Sequence, residues 1–199
     1  MIGADALVLH LNPLQEAIQP EGQCDFRELL SKIGRLVREL EVPVAVKEIG
    51  CGLSAKTARA LLDQGVRILD TAGLGGTSWA RIEAARAEDL DLGEVFADWG
   101  VPSPESIRQI AELRRRDQID DMTLIGSGGV RTGIDVAKAI ALGADLVGLA
   151  QPFLGAAMES PERVVEKIER TVRELRITMF CAGAATLAEL RSVRLLKKD

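Results

Sequence analysis

The sequence predicts an α/β fold built on a parallel sheet, and three observations predict it. Short aliphatic runs alternate with amphipathic helical stretches along all 199 residues. The runs are apolar at successive positions, as in strands buried on both faces. Polar or glycine-rich segments follow every run, where parallel α/β folds gather their ligands. Residues 1–199 read as a single domain, since this length suits one ordinary domain better than two.

Taken in order, ALVLHL (6–11) is the first strand and leads into HLNPLQEAIQPEG (10–22), which holds the only histidine. Phe26, Leu29, Leu30, Ile33, Leu36, Val37 and Leu40 then recur at helical spacing and form one apolar stripe. VPVAVK (42–47) is the second strand and ends on Lys47, with a helix over 54–64. VRILD (66–70) is the third and is followed by GLGGTSWARIE (73–83). Ser103-Pro104-Glu105 has a hydroxyl cap, a proline with φ already set and an acid, the pattern of a helix start, here for 104–116. MTLIG (122–126) is the fourth strand and runs into GSGGVRTG (126–133), where Thr132 and Asp135 form a capping box for a helix over 132–142. LVGLA (146–150) is the fifth strand and ends at Ala150-Gln151. Ser160-Pro161-Glu162 opens a helix over 162–177, and a last one falls near 184–193.

Strand, helix, strand with short connections implies parallel pairing and right-handed crossovers. Two folds satisfy that pattern: a doubly wound open sheet, or the later part of a (β/α)8 barrel, which needs eight strands and typically about 250 residues.

Composition narrows the function classes. A net charge of −5 with Lys and Arg spread over many faces argues against a nucleic-acid partner. No apolar stretch reaches membrane-spanning length and no signal pattern is visible, so neither a membrane partner nor secretion is expected. Cys24, Cys51 and Cys181 are odd in number and far apart, with no CxxC pair. They read as reduced, buried small side chains of a cytoplasmic protein.

The segments after the strands carry the chemistry. In GSGGVRTG, glycines at 126, 128 and 129 let backbone N–H groups approach an anion, Arg131 adds a permanent charge, and the following helix N-terminus also favours phosphate. Lys47 brings an ammonium to the mouth of the fold, to hold an anionic ring or phosphate, or simply to snorkel at the rim. Thr77, Ser78, Trp79 and Glu83 sit on another glycine-rich turn. Glu16 suits a divalent metal only with substrate phosphates and waters completing the shell, the usual way Mg²⁺ is held. His10, Asn12, Gln15 and Glu16 form either a hydrogen-bonded strand exit or a site.

Together, HLNPLQEAIQPEG, VPVAVKEIG, GLGGTSWARIE, WGVPS and SGGVRTGIDVAKAIALGAD resemble the type 2 isopentenyl-diphosphate δ-isomerases, from residue 1 to about 190. The resemblance implies an FMN-dependent (β/α)8 TIM barrel, present as an incomplete barrel of about five βα units. It implies interconversion of isopentenyl and dimethylallyl diphosphate in isoprenoid biosynthesis. FMN and Mg²⁺ would be the cofactors, NADPH would serve as flavin reductant, and the protein would be a homo-oligomer. Carried onto this sequence, Glu16 would hold Mg²⁺, and Gln15 would contact substrate and share a proton relay with His10 and Glu83. Asn12 and Trp79 would line the substrate pocket. Lys47, Thr77, Gly128, Gly129, Val130, Arg131, Ala150 and Gln151 would hold FMN. Family members carry further residues ahead of the position matching Met1, and they have an acid where Gln23 stands here. Two other readings stay open: an FMN-dependent 2-hydroxyacid oxidase or dehydrogenase, and a non-catalytic phosphate-binding half-barrel.

Overall fold

The computed structural model describes residues 3–196. Its centre is a five-stranded sheet of β1 (Leu7–Leu11), β2 (Val44–Glu48), β3 (Ile68–Asp70), β4 (Thr123–Gly126) and β5 (Leu146–Val147). Every pair is parallel and the spatial order is β1-β2-β3-β4-β5. A doubly wound sheet reverses its strand order at a switch point. This one never reverses, so the order decides for the barrel type, with five consecutive βα units described.

The helices are α1 (Pro13–Ile18), α2 (Leu29–Glu39), α3 (Ala55–Asp63), α4 (Trp79–Arg86), α5 (Leu90–Val95), α6 (Ser103–Arg116), α7 (Gly133–Ala141), α8 (Gln151–Glu159), α9 (Pro161–Cys181) and α10 (Leu187–Leu190). Val46, Leu69 and Leu124, from three neighbouring strands, are wholly buried against Leu61, Ile107 and Ile110 of α3 and α6. Removing such a side chain from water contributes about 2 kcal/mol each. At the strand-entry end, Arg114 Nη1 meets Asp145 Oδ2 at 2.6 Å, and the same oxygen accepts the Leu124 N–H at 2.9 Å. That end is built for stability, and the opposite end is left for the loops.

Some expectations need correction. Burial on both faces holds for β2 but not for the edges. β1 alternates, with Val8 56% exposed, and Leu146 of β5 is 58% exposed. An edge strand has a neighbour on one side only, and less of the molecule covers it. Cys24 and Cys181 are exposed and Cys51 is half-buried, contrary to the reading of all three as buried. Ser103 does not cap α6, because Pro102 is the capping position. The hydroxyl instead donates to Gly128 O at 2.6 Å and clamps two loops together. The Thr132–Asp135 capping box and the Ser160 cap form as expected. No described helix is long and apolar enough to cross a membrane.

Candidate active site

The site grows from the strand register. His10 of β1, Lys47 of β2 and Asp70 of β3 are cross-strand partners, so three polar side chains stand in one row at the exit end of the sheet. Lys47 Nζ lies 2.6 Å from Asp70 Oδ2. The other oxygen of Asp70 accepts from Ser127 Oγ at 2.5 Å and from the Ala72 N–H at 3.3 Å. Polar contacts therefore run across the tips of β2, β3 and β4.

One residue past Lys47, Glu48 is buried and its Oε2 accepts the N–H groups of Gly50 (2.7 Å), Cys51 (2.6 Å) and Gly52 (3.1 Å). Burial pushes its carboxyl above the usual range, and those donors pull it only part of the way back. Burial, helped by the Glu48 charge, lifts the Cys51 thiol to about 11.

Two glycine-rich loops face each other beyond β3 and β4. Gly128 and Gly129 have φ of 97° and 73°, open to glycine at little cost, and a Cβ on either would collide with the backbone of Gly73 or Gly75. Arg131 Nη1 donates to Gly75 O (3.4 Å) and Gly129 O (3.2 Å), so one guanidinium spans both loops. It meets no carboxylate among the described residues. The α7 N-terminus is different. Asp135 accepts from the Arg131 and Thr132 N–H groups, and Glu174 Oε2 accepts the Gly133 N–H at 2.9 Å. Two carboxylates already occupy that helix end, so the expected anion site narrows to the 128–131 loop.

These elements enclose a cavity of about 570 Å³. Among the expected site residues, His10, Lys47, Thr77, Trp79, Gly128, Gly129, Val130, Arg131, Ala150 and Gln151 line it. Asp70 and Ser127 line it too and were not anticipated. The other four expected residues do not line it. Asn12 is buried and caps α1, its Oδ1 accepting the Gln15 N–H at 2.9 Å. Gln15 Nε2 donates to Glu83 Oε1 at 2.7 Å, and Arg86 Nη1 donates to Glu83 Oε2 at 2.6 Å. Glu16 Oε2 accepts from Gln19 Nε2 (3.2 Å) and the Gln23 N–H (2.9 Å). Within the crowded residues 10–16, Asn12 caps α1 and His10 lines the cavity. No cluster of three His, Cys, Asp or Glu side chains suited to a metal occurs among the described residues.

A parallel barrel-type sheet with an anion cradle at its exit end defines a class of phosphate-cofactor-binding α/β proteins. The profile of the FMN-dependent dehydrogenase family matches residues 16–197, and the chain belongs to that family. Within it, the chain is similar to isopentenyl-diphosphate delta-isomerases. It is 53% identical to the one from Synechococcus sp. over 98% of this chain and 56% of that protein. It is 52% identical to the one from Stutzerimonas stutzeri over 99% of this chain and 56% of that protein. The chain therefore spans somewhat over half the length of these curated relatives. Among solved structures, GMP reductase from Trypanosoma brucei superposes with a TM-score of 0.65 at 25% identity, covering 96% of this chain and 39% of that one. A mandelate oxidase superposes at 0.61 and 23% identity, over 81% of this chain and 42% of that one, a likeness of fold alone.

Proposed function

We propose that the chain carries the cofactor cradle and proton-handling residues of an FMN- and Mg²⁺-dependent isomerase. Its reaction interconverts isopentenyl and dimethylallyl diphosphate, with NADPH as flavin reductant. The observation that carries this reading is the cavity that Lys47, Trp79 and Arg131 share with the paired glycine loops, with Glu83, the partner of Gln15, on the helix that Trp79 opens.

FMN fits the residues present. Arg131 and the 128–131 loop offer an unpaired cation and close backbone approach for a phosphate, Thr77 and Gln151 offer side-chain polar groups for the ribityl chain, and Lys47 lies further along the same cavity for the ring. When bound and reduced, the flavin supplies the electron-rich surface for an allylic proton shift without net redox change. The chain's own residues hold and move the proton. Glu83 accepts the Gln15 amide and fixes its orientation, leaving the amide oxygen free for a substrate hydrogen. Trp79 walls the cavity with an apolar face suited to a prenyl chain. Glu16 would hold Mg²⁺ on the substrate diphosphate, since one carboxylate plus phosphates and waters satisfies that ion. The 2-hydroxyacid oxidase reading gains nothing from the geometry, because the only histidine is His10, at the first strand.

The test is direct. Purified chain is titrated with FMN and followed by flavin absorbance, then given isopentenyl diphosphate with NADPH and Mg²⁺. Bound flavin and formation of dimethylallyl diphosphate are expected. The Glu16→Ala variant is expected to need at least about tenfold more Mg²⁺ or to lose activity by that factor. A chain that takes up no FMN, or full turnover in Glu16→Ala, refutes the corresponding assignment.

A further inference from the structure

Asp70 closes the exit-end row that runs from His10 through Lys47, and nothing in the isomerase reading gives it a role. It ends β3, lines the cavity, and its side chain is only 14% exposed. All of its described contacts come from donors: Lys47 Nζ, Ser127 Oγ and the Ala72 N–H. A lysine is a strongly hydrated point charge on a flexible four-carbon stem. Left alone at the mouth of the fold, Lys47 would swing toward water. Asp70 stands beside it in register, one strand over, so both side chains leave the sheet on the same side.

We infer that Asp70 is a positioning residue for the cofactor: it pins the Lys47 ammonium inside the cavity and offsets most of its charge before any flavin binds. Arg131 is then the cation of this cavity that no carboxylate neutralises, whereas Lys47 presents a paired one. The contrast assigns the two cations different work. The unpaired guanidinium attracts a permanent phosphate charge. The paired ammonium meets a ring whose charge changes between oxidation states, and Asp70 sets how strongly it favours the anionic reduced form.

This inference rests on the FMN reading, and its test separates the two. The dissociation constants of oxidised and dithionite-reduced FMN are measured for the wild-type chain, Asp70→Asn, Asp70→Glu, Lys47→Met and the Asp70→Asn/Lys47→Met double variant. Asp70→Asn unmasks the ammonium and should raise the oxidised-to-reduced ratio about tenfold or more, the scale expected for one unbalanced charge nearby. Lys47→Met should lower the ratio. With Met at position 47, the Asp70→Asn effect should shrink below about threefold, because Asp70 acts through the lysine. Asp70→Glu keeps the charge and should stay within about threefold of wild type, which also covers the case in which Asp70→Asn does not fold. Equal shifts in the Asn and Glu variants, or an undiminished shift with Met at 47, overturn the inference while leaving FMN binding intact. Failure of the wild-type chain to take up FMN overturns the cofactor reading and this inference together.

Discussion

Gln15 Nε2 donates to Glu83 Oε1 across 2.7 Å and 68 positions of sequence, joining α1 to α4. Glu83 is 2% exposed, so its second oxygen must be matched, and Arg86 Nη1 does so at 2.6 Å. Gln15 is therefore held at two points, its backbone N–H by Asn12 and its side-chain Nε2 by Glu83. Neither Gln15 nor Glu83 lines the cavity proposed for FMN. Gln15→Ala and Glu83→Gln should therefore bind FMN normally yet lose about a hundredfold or more in isomerisation rate. The double variant should be little worse than either single one, because the two residues act as a unit. Additive losses in initial-rate measurements would show two independent roles.

Among the described residues the Arg131 guanidinium donates to two carbonyl oxygens, Gly75 O and Gly129 O, and the residue is exposed. Its removal should leave the fold unchanged and weaken FMN binding about tenfold or more, with inorganic phosphate losing its ability to compete. Lysine at 131 should restore only part of the affinity, since a point charge cannot reproduce the planar fork. Fluorescence titration of FMN, with urea midpoints as the control, checks both parts. Unchanged affinity in Arg131→Ala would place the phosphate elsewhere.

The sheet and the loops carrying the cradle were legible in the sequence because each strand is an apolar run closed by glycine or a polar residue. What escaped has definite physical causes. Asp70 closes VRILD and looks like an ordinary strand end, since its partner Lys47 lies 23 positions away and only the parallel register brings them together. Ser103 mimics a helix cap because Pro104 fits an early helical position whichever residue precedes it, and only the folded chain puts Gly128 O within reach of the hydroxyl. Helices α1 and α5 are six residues each, too short for apolar periodicity to show, and α8 buries no residue at all. The α7 N-terminus looked open to an anion because Glu174, which occupies it, comes from a helix 41 positions on.

Cys51 offers a readout of the β2–α3 loop that needs no ligand. Its thiol is lifted to about 11, by burial first and by the Glu48 charge second. Only the thiolate reacts, so at pH 8 its reactive fraction should be roughly a hundredfold below that of an ordinary thiol. Cys24 and Cys181 are exposed and should be labelled first by a disulfide reagent. Mass spectrometry of the labelled peptides gives the order. Glu48→Gln removes the charge and should speed Cys51 labelling; rapid labelling of Cys51 in the wild-type chain at pH 8 would contradict its burial, and an unchanged rate in Glu48→Gln would contradict the contribution of the Glu48 charge.

Glu48 also predicts a pH dependence of stability with a definite sign. Its carboxyl is raised in the folded state because burial disfavours the charged form more than the N–H groups of Cys51, Gly50 and Gly52 favour it. A group raised on folding binds its proton more tightly in the native chain than in the unfolded one. Its contribution is fully present below the ordinary value of 4.5 and is lost as pH rises through the higher folded value. Other acids push the opposite way: Glu174 is held below the usual range by the Gly133 N–H and then by Arg170, so its contribution is fully present above the ordinary carboxylate value and is lost as pH falls through the lower folded value. The whole-protein profile therefore mixes both signs, and the Glu48 part is isolated by difference. Urea midpoints from pH 4 to 8 for the wild-type chain and Glu48→Gln should diverge as pH rises, the wild type losing ground relative to the variant. The amide cannot ionise but still offers one oxygen to the three loop N–H groups, so the β2–α3 turn should persist. A wild-type chain that instead gains on Glu48→Gln with rising pH would mean that the backbone donors, not burial, govern this carboxylate.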